Sequence, residues 1–246
     1  MKMTSILLLK IGRCPELSNA CGQASHQCHV VARTQGTGLM DRSIPEPWSG
    51  HLSSARILFI TANPSLDADE QFPRPEWSDV DVEDFFENRF AGGAKRWTRD
   101  GSRVLRVDGS YSVAVQTWAE VRNSASIVLG RDAIPGEDYA ITDLVHCKSR
   151  KAVGVAEAHD FCVSRYMNEI LNAAKARVLI AVGPARISVG NLLLGRSVGA
   201  SPRPVTVGGV EKILVGVGAP GSSEKRRLPA ALENPAEDLA TLRAYL

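Results

Sequence analysis

Four short segments, each apolar nearly throughout, constrain this chain more than any other feature: RILFIT at 56–61, YAITDLV at 139–145, RVLIAV at 177–182 and KILVGV at 212–217. A strand with one wet face alternates apolar and polar residues, whereas a strand covered on both faces does not. The runs therefore predict strands of a parallel sheet held between helices. The sequence between them agrees. After the second run, Ala156, His159, Phe161, Cys162, Tyr166, Ile170, Ala173 and Ala174 recur near helical spacing. Residues 184–194 read as a helix with Gly195 close behind, and Pro235 suits the first turn of a last one. This alternation predicts an α/β, three-layer doubly wound fold with a central four-stranded parallel sheet.

The whole chain, 1–246, reads as a single domain. Residues 1–54 form an N-terminal segment, and 73–135 an elaborated connection between the first two strands. That connection is acidic at first (Glu76, Asp79, Asp81, Glu83, Asp84) and carries helical patterns at 79–90 and 113–129. An apolar share of 44% with 23% charged residues excludes disordered, coiled-coil and collagen-like chains. A net charge of +2 leaves nucleic-acid binding to a local basic patch. No stretch reaches the roughly 20 apolar residues of a membrane span. Lys10 interrupts the Ile6–Leu9 run with no small-residue cleavage site behind it, so the start does not read as a signal peptide. A cytoplasmic location follows as the expectation, with the five cysteines as metal ligands or buried thiols before disulfides.

Ligands of a doubly wound sheet sit beyond the carboxyl ends of its strands, and three unusual segments fall there. The first strand runs into Thr61-Ala62-Asn63-Pro64-Ser65 and an acidic loop. The second runs through Thr142-Asp143 into His146-Cys147-Lys148. The fourth runs into GAPGSSEKRRLP at 218–229. At these motifs the chain resembles the uracil-DNA glycosylase superfamily. The matching pieces are ILFITANPS, YAITDLVHCKS, the helix holding Cys162, RVLIAVGPA and the loop after the last strand, in the family's order. The resemblance is to the iron–sulfur members in particular. It implies an enzyme that flips a base into a pocket and hydrolyses its N-glycosidic bond.

The resemblance places Asn63 at the catalytic position, where its carbonyl would orient a water. Asp67, Asp69 and Glu70 are nearby carboxylates that could serve as the base. Ala62, Pro64 and Ser65 would line the base pocket, and Phe72 would stack on the flipped base. Asp143 replaces the Asn of uracil-specific relatives. As an ionised, acceptor-only group it would repel O4 of uracil yet accept from the N4 amino group of cytosine. Ser65 stands where uracil-only members carry a Tyr that blocks the C5 side. An enzyme that released plain cytosine would destroy its host's genome. The expected substrate is therefore a C5-modified cytosine, hydroxymethylated or glucosylated, with phage DNA as partner in anti-phage defence. In the third motif Ala219-Pro220-Gly221 replaces the usual His-Pro-Ser. Ser222, Ser223, Lys225, Arg226 and Arg227 would grip phosphates, and Leu228 would wedge into the vacated stack.

For the cofactor, the resemblance implies a 4Fe-4S cluster on Cys14, Cys21, Cys147 and Cys162, with Cys28 as the alternative N-terminal ligand. Ile11 breaks the usual N-terminal Cys-x-x-Cys, and His26 and His29 beside Cys28 keep zinc as a second reading. As bland counterparts, Asn63 is an Asx-turn residue before proline, Phe72 a core ring, and the basic run a solvated turn. Three rival functions stand beside the main one: a repair glycosylase for uracil or deaminated bases, a non-catalytic nucleic-acid-binding protein, and a nucleotide-binding or zinc-dependent protein on the same sheet. No obligate protein partner is evident in the sequence.

Overall fold

A computed structural model describes residues 3–36, 42–90, 97–218 and 228–246. In chain order the elements are α1 (Met3–Gly12), α2 (Glu16–Gly22), α3 (His29–Arg33), β1 (Trp48–Ser49), β2 (Ile57–Thr61), α4 (Asp79–Asn88), β3 (Thr98–Arg99), β4 (Arg103–Val104), α5 (Gln116–Leu129), β5 (Tyr139–Asp143), a 3-10 turn (Arg150–Ala152), α6 (Val155–Ala173), β6 (Val178–Val182), α7 (Ala185–Leu194), β7 (Arg203–Val207), β8 (Val210–Val217) and α8 (Pro235–Arg243).

The main sheet is mixed and has six strands in the order β1-β5-β2-β6-β8-β7. The four apolar runs become β2, β5, β6 and β8, which pair in parallel; β1 and β7 add antiparallel edges. The sequence predicts four strands and neither edge. β1 is only two residues long, too short for any periodicity. β7 has a usable signal: Gly208-Gly209 separates it from β8, and both glycines have positive φ (55° and 78°), as a two-residue hairpin turn requires.

Alternate residues of the parallel strands feed two cores, which explains why those strands are apolar throughout. Leu58, Ile60, Leu179, Ala181 and Leu214 pack with residues of α1, α2, α3, α4, α6 and α7. Ile57, Phe59, Ile141, Val178, Ile180, Ile213 and Val215 face the other way, against α5, α8 and Leu228–Leu232. Each buried Leu, Ile or Phe stabilises by about 1.5–3 kcal/mol, so a polar residue on either face would be expensive. The helices of the N-terminal segment have no counterpart among the expectations, which treat the Ile6–Leu9 run only as a leader candidate. Gly154, at φ 78° before α6, admits α3: a Cβ there would lie 2.2 Å from the Val31 backbone nitrogen. That close approach brings the Cys28 end of α3 against the helix carrying Cys162.

Candidate active site

In the sheet register Thr61 is the partner of Asp143, so the strand ends deliver them side by side. The Thr61 hydroxyl donates to Asp143 Oδ1. Beyond them the two chains stay zipped: Leu144 N–H donates to Thr61 O (2.9 Å), Val145 N–H to Ala62 O (3.0 Å) and Ser149 N–H to Pro64 O (3.1 Å). An open cleft of about 790 Å³ lies against this seam. Asn63, Pro64, Ser65, Asp67, Glu70, Asp143 and Lys148 line one side. Glu46, Arg89, Val104 and the start of α5, with Val115, Thr117 and Trp118, line the rest.

Five buried charged groups form the floor. Arg89 Nη1 donates to Glu46 Oε1 (2.6 Å) and its Nη2 to Glu70 Oε1; Lys148 Nζ donates to Glu70 Oε2 (2.6 Å) and to the Ser65 carbonyl (3.2 Å). The Arg89 guanidinium also lies 4.5 Å from the centre of the Trp118 ring. Burial tends to raise the Glu70 carboxyl, but Lys148 and then Arg89 outweigh it and hold Glu70 below its usual range. Asp143 goes the other way. Burial, reinforced by the neighbouring Glu46 charge, pushes it up to about 7 against the pull of Thr61, Lys148 and Arg89. The sequence reading takes Asp143 as an ionised, acceptor-only group; burial moves its carboxyl toward neutrality, where a protonated form can also donate.

The expected site residues divide. Asn63, Pro64, Ser65, Asp67, Glu70 and Asp143 share the cleft. Asn63 Nδ2 donates to the Pro64 carbonyl (3.0 Å), which leaves its Oδ1 as the atom to accept from a water. Asp67 Oδ1 accepts from the Asp69 backbone N–H (3.0 Å), while Asp69 itself is exposed and not among the lining residues. Glu70, offered as a base, is committed to two cations. Ala62 is not among the lining residues; its carbonyl accepts from Val145 N–H. Phe72 is corrected to a core ring: it is 4% exposed and packs edge-on against Phe85 (5.2 Å) and Phe86 (5.6 Å). The aromatic that does line the cleft is Trp118, absent from the expected site although it stands within the helix predicted over 113–129 and in the first turn of α5. Leu228 is corrected from wedge to core, buried against the face that holds Phe59. Ser222, Ser223, Lys225, Arg226 and Arg227 lie outside the described residues.

A second cavity lies behind the seam. Cys14, Cys28, Cys147 and Cys162 line it together with Leu17, Val31, Pro45, Val145, His146, Phe161 and Tyr166. Cys28, the alternative, thereby takes the place expected of Cys21, whose sulfur bonds Leu17 O (2.8 Å) and the Arg42 guanidinium. Burial pushes the Cys28 thiol up to about 11 and the Cys162 thiol up to about 12. No three Cys, His, Asp or Glu side chains among the described residues close on a single point. His146 Nδ1 lies 2.8 Å from the Glu46 carbonyl and must carry the proton, so Nε2 is a bare lone pair, buried and without a partner. His26 contacts Glu16 (3.2 Å) and His29 the Ala20 carbonyl (2.7 Å), which removes both from the cavity. Glu46, Arg89 and Lys148 are site residues that the motifs do not assign; Lys148 stands inside one of them, but Glu46 and Arg89 have no sequence signal. Among the described residues no helix is long and apolar enough to cross a membrane. Comparison with protein-family models and with curated proteins finds no match.

Proposed function

We propose that the protein is a monofunctional DNA glycosylase of the uracil-DNA glycosylase type, acting on a C5-modified cytosine, with anti-phage defence as its setting. The observation that carries this reading is the meeting of Asn63, Ser65, Asp67 and Asp143 in one cleft at the carboxyl ends of β2 and β5. Asn63 orients the attacking water and Asp67 takes its proton. Thr61 fixes Asp143 Oδ1 as an acceptor, so a protonated Asp143 offers one acceptor and one donor, matching N4–H and N3 of cytosine. Uracil presents O4 and N3–H and needs the reverse order. Exposed Ser65 leaves room at the rim for a C5 substituent.

Cys14, Cys28, Cys147 and Cys162 would hold an iron–sulfur cluster. The donor set fits, being four thiols around a cavity walled by apolar side chains. When bound, the cluster would staple the N-terminal helices to the segment after β5. Brown protein with iron and labile sulfide is expected, and stoichiometric zinc without iron from anaerobic preparation would refute the cluster.

The deciding experiment incubates the protein with matched oligonucleotides carrying uracil, cytosine or C5-modified cytosine and measures abasic sites. Release of a modified cytosine with little uracil release is expected. Efficient uracil release without any from modified cytosine hands the assignment to repair. Asn63→Ala should abolish release while DNA binding persists. Asp143→Asn should shift preference toward uracil by a factor on the order of 10², as one buried hydrogen bond becomes a mismatch.

A further inference from the structure

The cleft floor holds one more carboxylate than cations. Glu46, from the segment before β1, Glu70, from the loop after β2, and Asp143 are buried beside Arg89, which follows α4, and Lys148, which follows β5. Both cations are engaged elsewhere: Arg89 pairs with Glu46 and Glu70, and Lys148 with Glu70. Asp143 makes a hydrogen bond to the Thr61 hydroxyl, and no ion pair within 4 Å joins it to either cation among the described residues. The strongest charge acting on it is the like charge of Glu46, with Lys148 and Arg89 each opposing more weakly; from α6, Cys162 also senses it. A buried carboxylate without a cation takes up a proton more readily than it stays charged.

We infer that Asp143 rests as a carboxylic acid and serves as the general acid of base release, protonating the departing base. The inference rests on the glycosylase reading above. As the N1–C1′ bond breaks, its electron pair stays with the base. The Asp143 proton, on the oxygen not engaged by Thr61, passes to N3, so a cytosine-type base leaves neutral rather than as an anion. C1′ takes the hydroxyl of the attacking water, whose proton goes to Asp67. Solvent exchange then returns Asp67 to carboxylate and Asp143 to acid. This role fits a chain whose third motif lacks the histidine that steadies an anionic leaving base in the resembling family. Glu46 and Glu70 occupy Arg89 and Lys148, so neither cation is left over to steady such an anion. Glu46 is then a positioning residue, keeping the proton on Asp143 by charge.

The test is the pH dependence of single-turnover release from a C5-modified cytosine oligonucleotide, read beside carbon-13 NMR of carboxyl-labelled aspartate in the same protein. Release is expected to be level between about pH 5.5 and 6.5 and to fall about tenfold per pH unit above pH 7 or so. Asp143→Asn should lower release at pH about 6 by a factor on the order of 10²–10⁴ and remove the falling limb. Glu46→Gln should move that limb to lower pH. The Asp143 resonance, identified by its loss in Asp143→Asn, should titrate near neutrality, which needs no folded Glu46 variant. A rate that stays level to pH about 8.5, or an Asp143 resonance titrating below pH about 5, overturns the inference. Absence of release from every substrate overturns the glycosylase reading and the acid step with it, even where the resonance titrates near neutrality; that combination separates the two failures.

Discussion

The cleft and the thiol cavity lie on opposite sides of the same short segment, 143–148, yet they are built by contrary means. Asp143 and Lys148 face the cleft, where Glu46 and Glu70 pair with Arg89 and Lys148 and the mouth is open. Val145, His146 and Cys147 face the cavity, whose polar lining is four thiols, the Glu16 and Tyr166 side chains and the His146 imidazole, its Nε2 without a partner. The cleft is satisfied by the protein alone and needs only a substrate. The cavity is walled mainly by apolar side chains around four thiols, and on the proposed reading an iron–sulfur cluster would bind there. Each region therefore has its own way of failing when disturbed.

Removing a cavity thiol should give the largest effect. Cys147→Ser or Cys28→Ser is expected to lose iron altogether and to unfold or aggregate, whereas Cys21→Ser keeps its iron, since that sulfur bonds Leu17 and Arg42 instead. Iron and sulfide analysis beside circular dichroism decides it, and equal loss in all three variants would erase the distinction between Cys21 and Cys28. In the cleft, Arg89→Met takes from Glu46 its nearest cation and leaves Glu70 with Lys148 alone. It should destabilise by about 3–5 kcal/mol in urea unfolding while iron content per folded molecule stays unchanged. A neutral effect would mean that the buried network is replaceable by packing.

A smaller effect separates Asp143 from its neighbours. Its carboxyl goes from 3.8 unfolded to about 7 folded, so between those values the folded state binds the extra proton. Stability then falls as pH rises through that window. Asp143→Asn should lack this decline, so that wild type loses ground to the variant from pH about 4 to about 7 in matched melts. Glu70, held low by its cations, contributes in the opposite sense: its share is lost as pH falls through its folded value. The smallest effect concerns affinity. Neutralising Lys225, Arg226 and Arg227 should weaken DNA binding and flatten its salt dependence by about 0.9 in log–log slope for each phosphate that is no longer neutralised. An unchanged slope would move the DNA-binding surface elsewhere.

Burial on both faces forces continuous apolar runs, and helices must repeat every 3.6 residues, so the parallel strands and the helices α5 to α8 are legible along the chain. So is the meeting of Asn63, Asp67 and Asp143 at one edge, since the carboxyl ends of adjacent parallel strands cannot lie apart. Which rings and charges line the cleft is settled only by packing. Phe72 and Trp118 are both aromatic, and the rings of Phe85 and Phe86 draw the first into the core while the second stays at the opening. Cys21 and Cys28 likewise differ by nothing readable along the chain; Arg42 claims one sulfur, and the close approach of Val31 to Gly154 carries the other to the cavity. The proton on Asp143 is equally hidden, for Glu46 lies 97 positions away and acts on it only once β1 has paired beside β5. Periodicity is written in neighbouring residues, whereas charge and solvation belong to whatever the fold brings within a few ångströms.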